Sequence, residues 1–135
     1  MNKREKVLVV DDKGINRYML GEIFSDQYEI VEASDGYKAI DKIELEKDEL
    51  AVILLDIIMP KLDGFGVLKY MKEHGLLESI PVVIVTDDSS EETSVKAFEY
   101  NVADMVIKPF EPRIIKRRVE NIIELYAYKE KYKNA

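Results

Sequence analysis

Val7-Leu8-Val9-Val10 runs straight into Asp11-Asp12, and the same arrangement recurs three times downstream. Leu50 to Leu55 ends at Asp56, Val82-Val83-Ile84-Val85 at Thr86, and Met105-Val106-Ile107 at Lys108-Pro109. A more mixed run, Tyr28-Glu29-Ile30-Val31-Glu32-Ala33, lies between the first two. Runs that are almost wholly apolar suit strands covered on both faces, which is the condition inside a parallel sheet. The mixed run belongs at an edge.

Between the runs the apolar spacing changes to that of helices. Ile15, Met19 and Ile23 mark the first helix, Ile40 and Ile43 the second, Phe65, Leu68 and Met71 the third, and Val95, Phe98 and Val102 the fourth. Ser89-x-x-Glu92 has the form of a capping box, Asp63-Gly64 supplies a turn in which Gly64 can take positive φ, and Gly75 can end the third helix. Five strands alternating with five helices, joined by right-handed crossovers, form a doubly wound α/β sheet, and the order 2-1-3-4-5 fits best. The switch point then falls between strands 1 and 3. The final helix, Pro112 to about Lys133, carries Ile115, Val119, Ile122 and Tyr126 on one stripe. About 20 residues span some 30 Å, more than such a sheet needs, so residues 126–135 are expected to project and to serve as a connector.

The chain has 135 residues, 47% of them hydrophobic, enough for one domain with a sizeable core. It lacks cysteine, which excludes disulfides, thiolate metal sites and a thiol nucleophile and suits a reducing compartment, with the cytoplasm as the expected location. No apolar run approaches the roughly 20 residues of a membrane span. Met1-Asn2-Lys3-Arg4-Glu5-Lys6 leads into a short strand instead of a signal-peptide core. A net charge of −7 opposes nonspecific nucleic-acid binding, and Arg113-Lys116-Arg117-Arg118 reads as a solvated helix face.

If the strands are parallel, their carboxyl ends bring Asp11, Asp12, Asp56, Thr86 and Lys108 to one edge. Three carboxylates so close repel one another, and a divalent, oxygen-preferring ion relieves the repulsion. Mg2+ suits a shallow site of this kind. Zinc does not, since His74 is the sole histidine and it reads as a surface residue. An ammonium at Lys108 and a hydroxyl at Thr86 can stabilise charge on a phosphoryl group while Asp56 acts as nucleophile, which implies formation and hydrolysis of an aspartyl phosphate.

Taken together, Val9-Val10-Asp11-Asp12, Leu55-Asp56-Ile57-Ile58-Met59-Pro60-x-x-Asp63-Gly64, Val85-Thr86 and Ile107-Lys108-Pro109-Phe110 resemble the receiver domain of bacterial two-component response regulators over essentially the whole chain. The resemblance implies a flavodoxin-like fold, with residues 1–125 as the receiver domain. It implies that Asp56 accepts a phosphoryl group from the phosphohistidine of a sensor histidine kinase or phosphotransfer protein. Asp12 and Asp56 would bind Mg2+ with the backbone carbonyl of Ile58, Asp11 a metal-bound water, and Lys108 the acyl phosphate. Thr86 would report phosphorylation through the fourth helix, fifth strand and fifth helix. Pro109 would follow a cis bond. That surface is also where an output domain or effector, or a second copy, is expected to dock. Such a chain is a switch with self-catalysed phosphotransfer and slow autodephosphorylation, not an enzyme with a separate substrate.

Two positions depart from the family pattern. Met105 stands where an aromatic usually reports the threonine's movement, and Asp87 where a small residue usually flanks the phosphorylation site. Asp87→Ala is therefore expected to speed phosphorylation by acetyl phosphate. Apolar Ile58, two residues after Asp56, is expected to hinder attacking water. Other readings are weaker. A haloacid dehalogenase-type phosphohydrolase places its acids two apart after the first strand. Dinucleotide binding needs a glycine-rich turn where Asp11-Asp12-Lys13-Gly14 stands. The remaining alternative is an inert receiver-like module for dimerisation or docking.

Overall fold

The computed structural model describes residues 3–133, and the apolar runs become its strands. Met1 and Asn2, and the last two residues of the segment expected to project, lie outside the described residues. The elements are β1 (Lys6–Val10), α1 (Gly14–Phe24), β2 (Glu29–Ala33), α2 (Gly36–Glu46) and β3 (Leu50–Leu55). Then follow α3 (Gly64–Glu73), β4 (Val82–Thr86), α4 (Glu91–Glu99), β5 (Asp104–Ile107) and α5 (Pro112–Tyr132). All neighbouring strands are parallel and the order is β2-β1-β3-β4-β5, as expected.

Alternation along each strand sends successive side chains to opposite faces. Leu8, Val10, Ile53, Leu55, Val82 and Ile84 meet Ala39 and Ile43 of α2, Val67, Leu68 and Met71 of α3, and Ala97 of α4. Val7, Val9, Val52, Leu54, Val83 and Val85 meet Leu20 and Phe24 of α1 and Ile115 and Val119 of α5. The central strands β3 and β4 are buried throughout, whereas β2 and β5 are partly open at the edges.

Four local expectations are corrected. In α1 the buried face is Leu20 and Phe24, while Ile15 and Met19 face solvent. In α4, Val95 and Phe98 are exposed and the small Ala97 lies against the sheet, with Val102 buried beyond the helix. The α4 cap is Ser90, whose hydroxyl accepts from Thr93 N at 3.2 Å, and not Ser89. Gly64 has no positive φ, and its lack of a side chain serves close approach: a Cβ there would sit 2.5 Å from the Asp56 carbonyl oxygen. Gly75 does take φ +65 at the end of α3, the left-handed conformation glycine adopts without strain.

The Lys108-Pro109 bond is cis. Helix α5 ends at Tyr132, and its last turns are exposed except for half-buried Tyr126. Its end is tied back by an ion pair from Arg4 to Glu130 at 3.2 Å. No helix among the described residues is long and apolar enough to cross a membrane.

Candidate functional site: a carboxylate cluster at the carboxyl edge of the sheet

Parallel strands end together, so the residues that follow β1, β3 and β5 meet. The Asp56 amide donates to Val10 O at 2.9 Å and the Lys108 amide to Thr86 O at 2.9 Å, which keeps the strand ends in line as the chain leaves the sheet. Asp11, Asp12 and Asp56 each offer a carboxylate oxygen within 4.8 Å of the others. Asp11 and Asp56 are buried and Asp12 is exposed, so the cluster opens to solvent on the Asp12 side.

Lys108 enters from the β5 end and bridges the buried pair. Its Nζ donates to Asp11 Oδ2 at 2.8 Å and to Asp56 Oδ2 at 3.2 Å. The other Asp11 oxygen accepts from the Lys13 amide at 2.9 Å and from Asn16 Nδ2 at 3.4 Å. The other Asp56 oxygen accepts from the Ile58 amide at 3.2 Å. Burial pushes the Asp56 carboxyl above its ordinary range. Lys108 and the Ile58 amide oppose that shift, and the Asp11 charge adds to it. Burial alone would lower Lys108, but the hydrogen bond to Asp11 and the charges of Asp56 and Asp11 outweigh it and hold the ammonium above its usual value.

Charge arithmetic decides what else the site can take. At an effective dielectric constant of about 20, two carboxylates 4.8 Å apart repel by roughly 3 kcal/mol. Three carboxylates against one ammonium leave two negative charges, which a divalent ion cancels and a monovalent ion does not. The donors are all oxygen, and His74 lies exposed at the end of α3, so the set fits Mg2+ and not a thiolate or imidazole metal.

Thr86 is fully buried at the end of β4, and its Oγ1 accepts from the Asp88 amide at 3.3 Å. Among the described residues its own proton has no protein acceptor. The Asp88 carboxylate in turn accepts from Ser90 N at 2.9 Å and Thr93 Oγ1 at 2.6 Å, and these bonds hold its carboxyl below the ordinary aspartate range. Thr86 is thereby joined to the first turn of α4. The structure thus gathers Asp11, Asp12, Asp56 and Lys108 at one edge, with Thr86 ending the adjacent strand and Ile58 donating its amide to Asp56.

Three participants carried no signal in the sequence. Arg17 donates to the Asp11 carbonyl at 2.8 Å and to Glu32 at 2.9 Å, which clamps the loop after β1; Asn16 and Asp88 act as described. Arg17 reveals no role in the sequence, because its partners lie on another strand or in the backbone. Met105 is half-buried and packs against the core face shared with α3 and α4. Asp87 is exposed and makes no ion pair among the described residues, so water screens its charge.

A family model described as the response regulator receiver domain matches residues 7–120. The chain belongs to the response regulator receiver domains. This receiver domain is 37% identical over 124 residues to the alkaline phosphatase synthesis transcriptional regulatory protein PhoP of Bacillus subtilis (strain 168), covering 91% of this chain and 49% of that protein. To the transcriptional regulatory protein SrrA of Staphylococcus aureus (strain NCTC 8325 / PS 47) it is 33% identical, covering 87% and 47%. The receiver domain thus spans about half the length of the curated relatives it matches. Among solved structures, the CheX-CheY-BeF3-Mg+2 complex from Borrelia burgdorferi gives a TM-score of 0.80 at 26% identity, covering 87% of this chain and 88% of that one. The receiver domain of the putative Luxo repressor protein from Vibrio parahaemolyticus gives 0.87 at 22% identity, covering 98% and 99%, a likeness of fold.

Proposed function

We propose that this receiver domain is a phosphorylation-controlled switch in which Asp56 takes a phosphoryl group from a phosphohistidine on a sensor histidine kinase or phosphotransfer protein. The observation that carries the reading is Asp56 itself: a buried carboxylate with one oxygen held by Lys108 and the other by the Ile58 amide, beside two further carboxylates. In the transfer an Asp56 oxygen forms the new O–P bond as the P–N bond breaks, and the imidazole, protonated on its other ring nitrogen, keeps the electron pair and leaves as a neutral ring. Lys108, released from one carboxylate, follows the charge onto the phosphoryl oxygens, and Thr86 donates its free proton to one of them. Asp11, Asp12 and Asp56 would hold Mg2+, with the carbonyl of Ile58 as a further oxygen. When bound, the ion supplies positive charge against the carboxylates and the incoming phosphoryl group. The Mg2+ of the Borrelia complex supports this assignment.

For Thr86 to reach the phosphoryl group, its oxygen must leave the Asp88 amide or carry Asp88 with it, and Asp88 holds the first turn of α4. The site is thereby coupled to α4, and onward to β5 and α5, as a two-state element. Met105 supplies no ring to report the move, so the 86–93 segment carries the signal. Exposed Ile58 places an apolar side chain at the mouth of the site, which slows attack by water on the acyl phosphate. Residues 1–125 form the receiver unit in this reading, and 126–135 connect to an output domain or effector in the cytoplasm. Transcriptional regulators among the relatives support such an output.

The test is intact mass after incubation with acetyl phosphate and Mg2+. Wild type gains one phosphoryl group and Asp56→Asn gains none; an adduct of equal yield on Asp56→Asn overturns the assignment.

A further inference from the structure

Arg17 stands in the first turn of α1, where a cation faces the positive end of the helix dipole and gains nothing from the helix itself. Its guanidinium instead spans two acceptors outside α1. Nη1 donates to the Asp11 carbonyl oxygen at 2.8 Å and Nε to Glu32 Oε1 at 2.9 Å. Glu32 lies on β2 in register with Val9 of β1, so the second contact ties the guanidinium to the sheet. The Asp11 carbonyl belongs to the planar peptide group that leads into Asp12, and holding its oxygen fixes the plane from which Asp12 departs. Asp12 needs such support more than its neighbours do. Asp11 and Asp56 each have both carboxylate oxygens bonded, one to Lys108 and the other to the Lys13 or Ile58 amide. The Asp12 carboxylate is exposed and accepts no bond among the described residues, so the backbone alone aims it at the cluster.

We propose that Arg17 is a positioning residue of the metal site: by bridging Glu32 and the Asp11 carbonyl it holds the Asp12 carboxylate where, with Asp11 and Asp56, it binds Mg2+. The inference rests on the metal reading given above and extends it to a residue outside the carboxylate cluster. Charge and position make opposite demands here. A guanidinium near three carboxylates repels a cation, and deleting it also frees the Glu32 carboxylate, so electrostatics alone predicts tighter Mg2+ binding without Arg17. Positioning predicts weaker binding, by the roughly 10–100-fold typical when a partner of a metal ligand is removed. Lysine does not replace arginine in this role, because a single ammonium lacks the rigid fork that meets two separated acceptors at once. Lys13 supplies the comparison. Its side chain is exposed and its bond to Asp11 comes from the backbone amide, so its charge can be removed with that bond intact.

Titration of the metal-free, unphosphorylated chain with Mg2+, followed by the NMR signals of backbone amides around Asp11, Asp12 and Asp56, tests the proposal. The spectra read weak affinities and show directly whether each variant is folded. Arg17→Met should raise the dissociation constant at least about tenfold. Arg17→Lys should also raise it, despite an unchanged charge, and it carries the test alone should Arg17→Met fail to fold. Lys13→Met, the same loss of charge without loss of the bridge, should bind Mg2+ as tightly as wild type or more tightly. Binding by Arg17→Met as tight as that of wild type, full rescue by Arg17→Lys, or equal weakening in Lys13→Met overturns the proposal. A wild type that binds no Mg2+ overturns the metal reading and this inference together, whereas an unaltered Arg17→Met beside a wild type that binds overturns this inference alone.

Discussion

Replacing Lys108 by methionine keeps the length of the stem and deletes the ammonium between Asp11 and Asp56. The two contacts are 2.8 and 3.2 Å, with the three side chains 9%, 1% and 7% exposed for Lys108, Asp11 and Asp56. At an effective dielectric constant of about 20 these attractions come to roughly 6 and 5 kcal/mol, offset by the dehydration of the charges involved. Removing one partner of such a buried cluster costs roughly 3–5 kcal/mol, and carboxyl groups can relieve part of it by taking up protons. Lys108→Met should therefore lose about 3 kcal/mol at pH 7 in chelator, read from urea unfolding. Asp56→Asn should move the other way. Burial first, with Asp11 adding to it, raises the Asp56 carboxyl in the folded state above its ordinary 3.8. A raised value stabilises the fold below 3.8, and that contribution is lost as pH rises through the folded-state value. At pH 7 the ionised group is a cost that asparagine removes. Asp56→Asn should then be more stable than wild type at pH 7 in chelator, with the difference closing in acid. A loss below about 1 kcal/mol in Lys108→Met, together with a destabilised Asp56→Asn, would refute Lys108 as the compensating charge.

Gly64→Ala drives a Cβ to 2.5 Å from the Asp56 carbonyl oxygen and 2.8 Å from Ile57 Cα, backbone atoms with little room to yield. It should cost about 1–3 kcal/mol in chemical unfolding and slow labelling by acetyl phosphate. Asp88→Ala should still be phosphorylated, but phosphorylation should no longer alter hydrogen exchange in the first turn of α4. In wild type the protection that Asp88 gives that turn should be complete above 3.8 and fade as pH falls through its lower folded-state value. Phe24→Ala, at a fully buried position, should lose about 3–5 kcal/mol by thermal or urea unfolding, while Ile15→Ala on the exposed face of the same helix should change stability by less than about 0.5 kcal/mol.

The sheet and its carboxyl edge were legible because burial on both faces writes nearly continuous apolar runs, and the residue after each run is forced to the same edge. Asp11, Asp12, Asp56, Thr86 and Lys108 follow from that rule alone. Helix faces were less legible. In α1, Ile15, Tyr18, Met19, Leu20, Ile23 and Phe24 cover most of the circumference, so spacing does not select which side meets the sheet. In α4 the contact is made by Ala97, whose small size lets the helix approach, and the larger Val95 and Phe98 are left outside. Ser89 and Ser90 both stand three residues ahead of a polar side chain, and the choice of Ser90 follows from the Asp88 bond to its amide. Arg17 reaches a carbonyl after β1 and a carboxylate on β2, contacts that exist only once the strands are side by side.

The most direct measurement is chemical trapping of the acyl phosphate. Borohydride reduces a phosphorylated aspartate to homoserine, and peptide sequencing by mass spectrometry then reports its position. Wild type labelled with acetyl phosphate and Mg2+ should yield homoserine at position 56 and at no other aspartate. Homoserine at position 11 or 12, or an unreduced chain that nevertheless carries phosphate, would contradict the assignment of Asp56 as the phosphoacceptor.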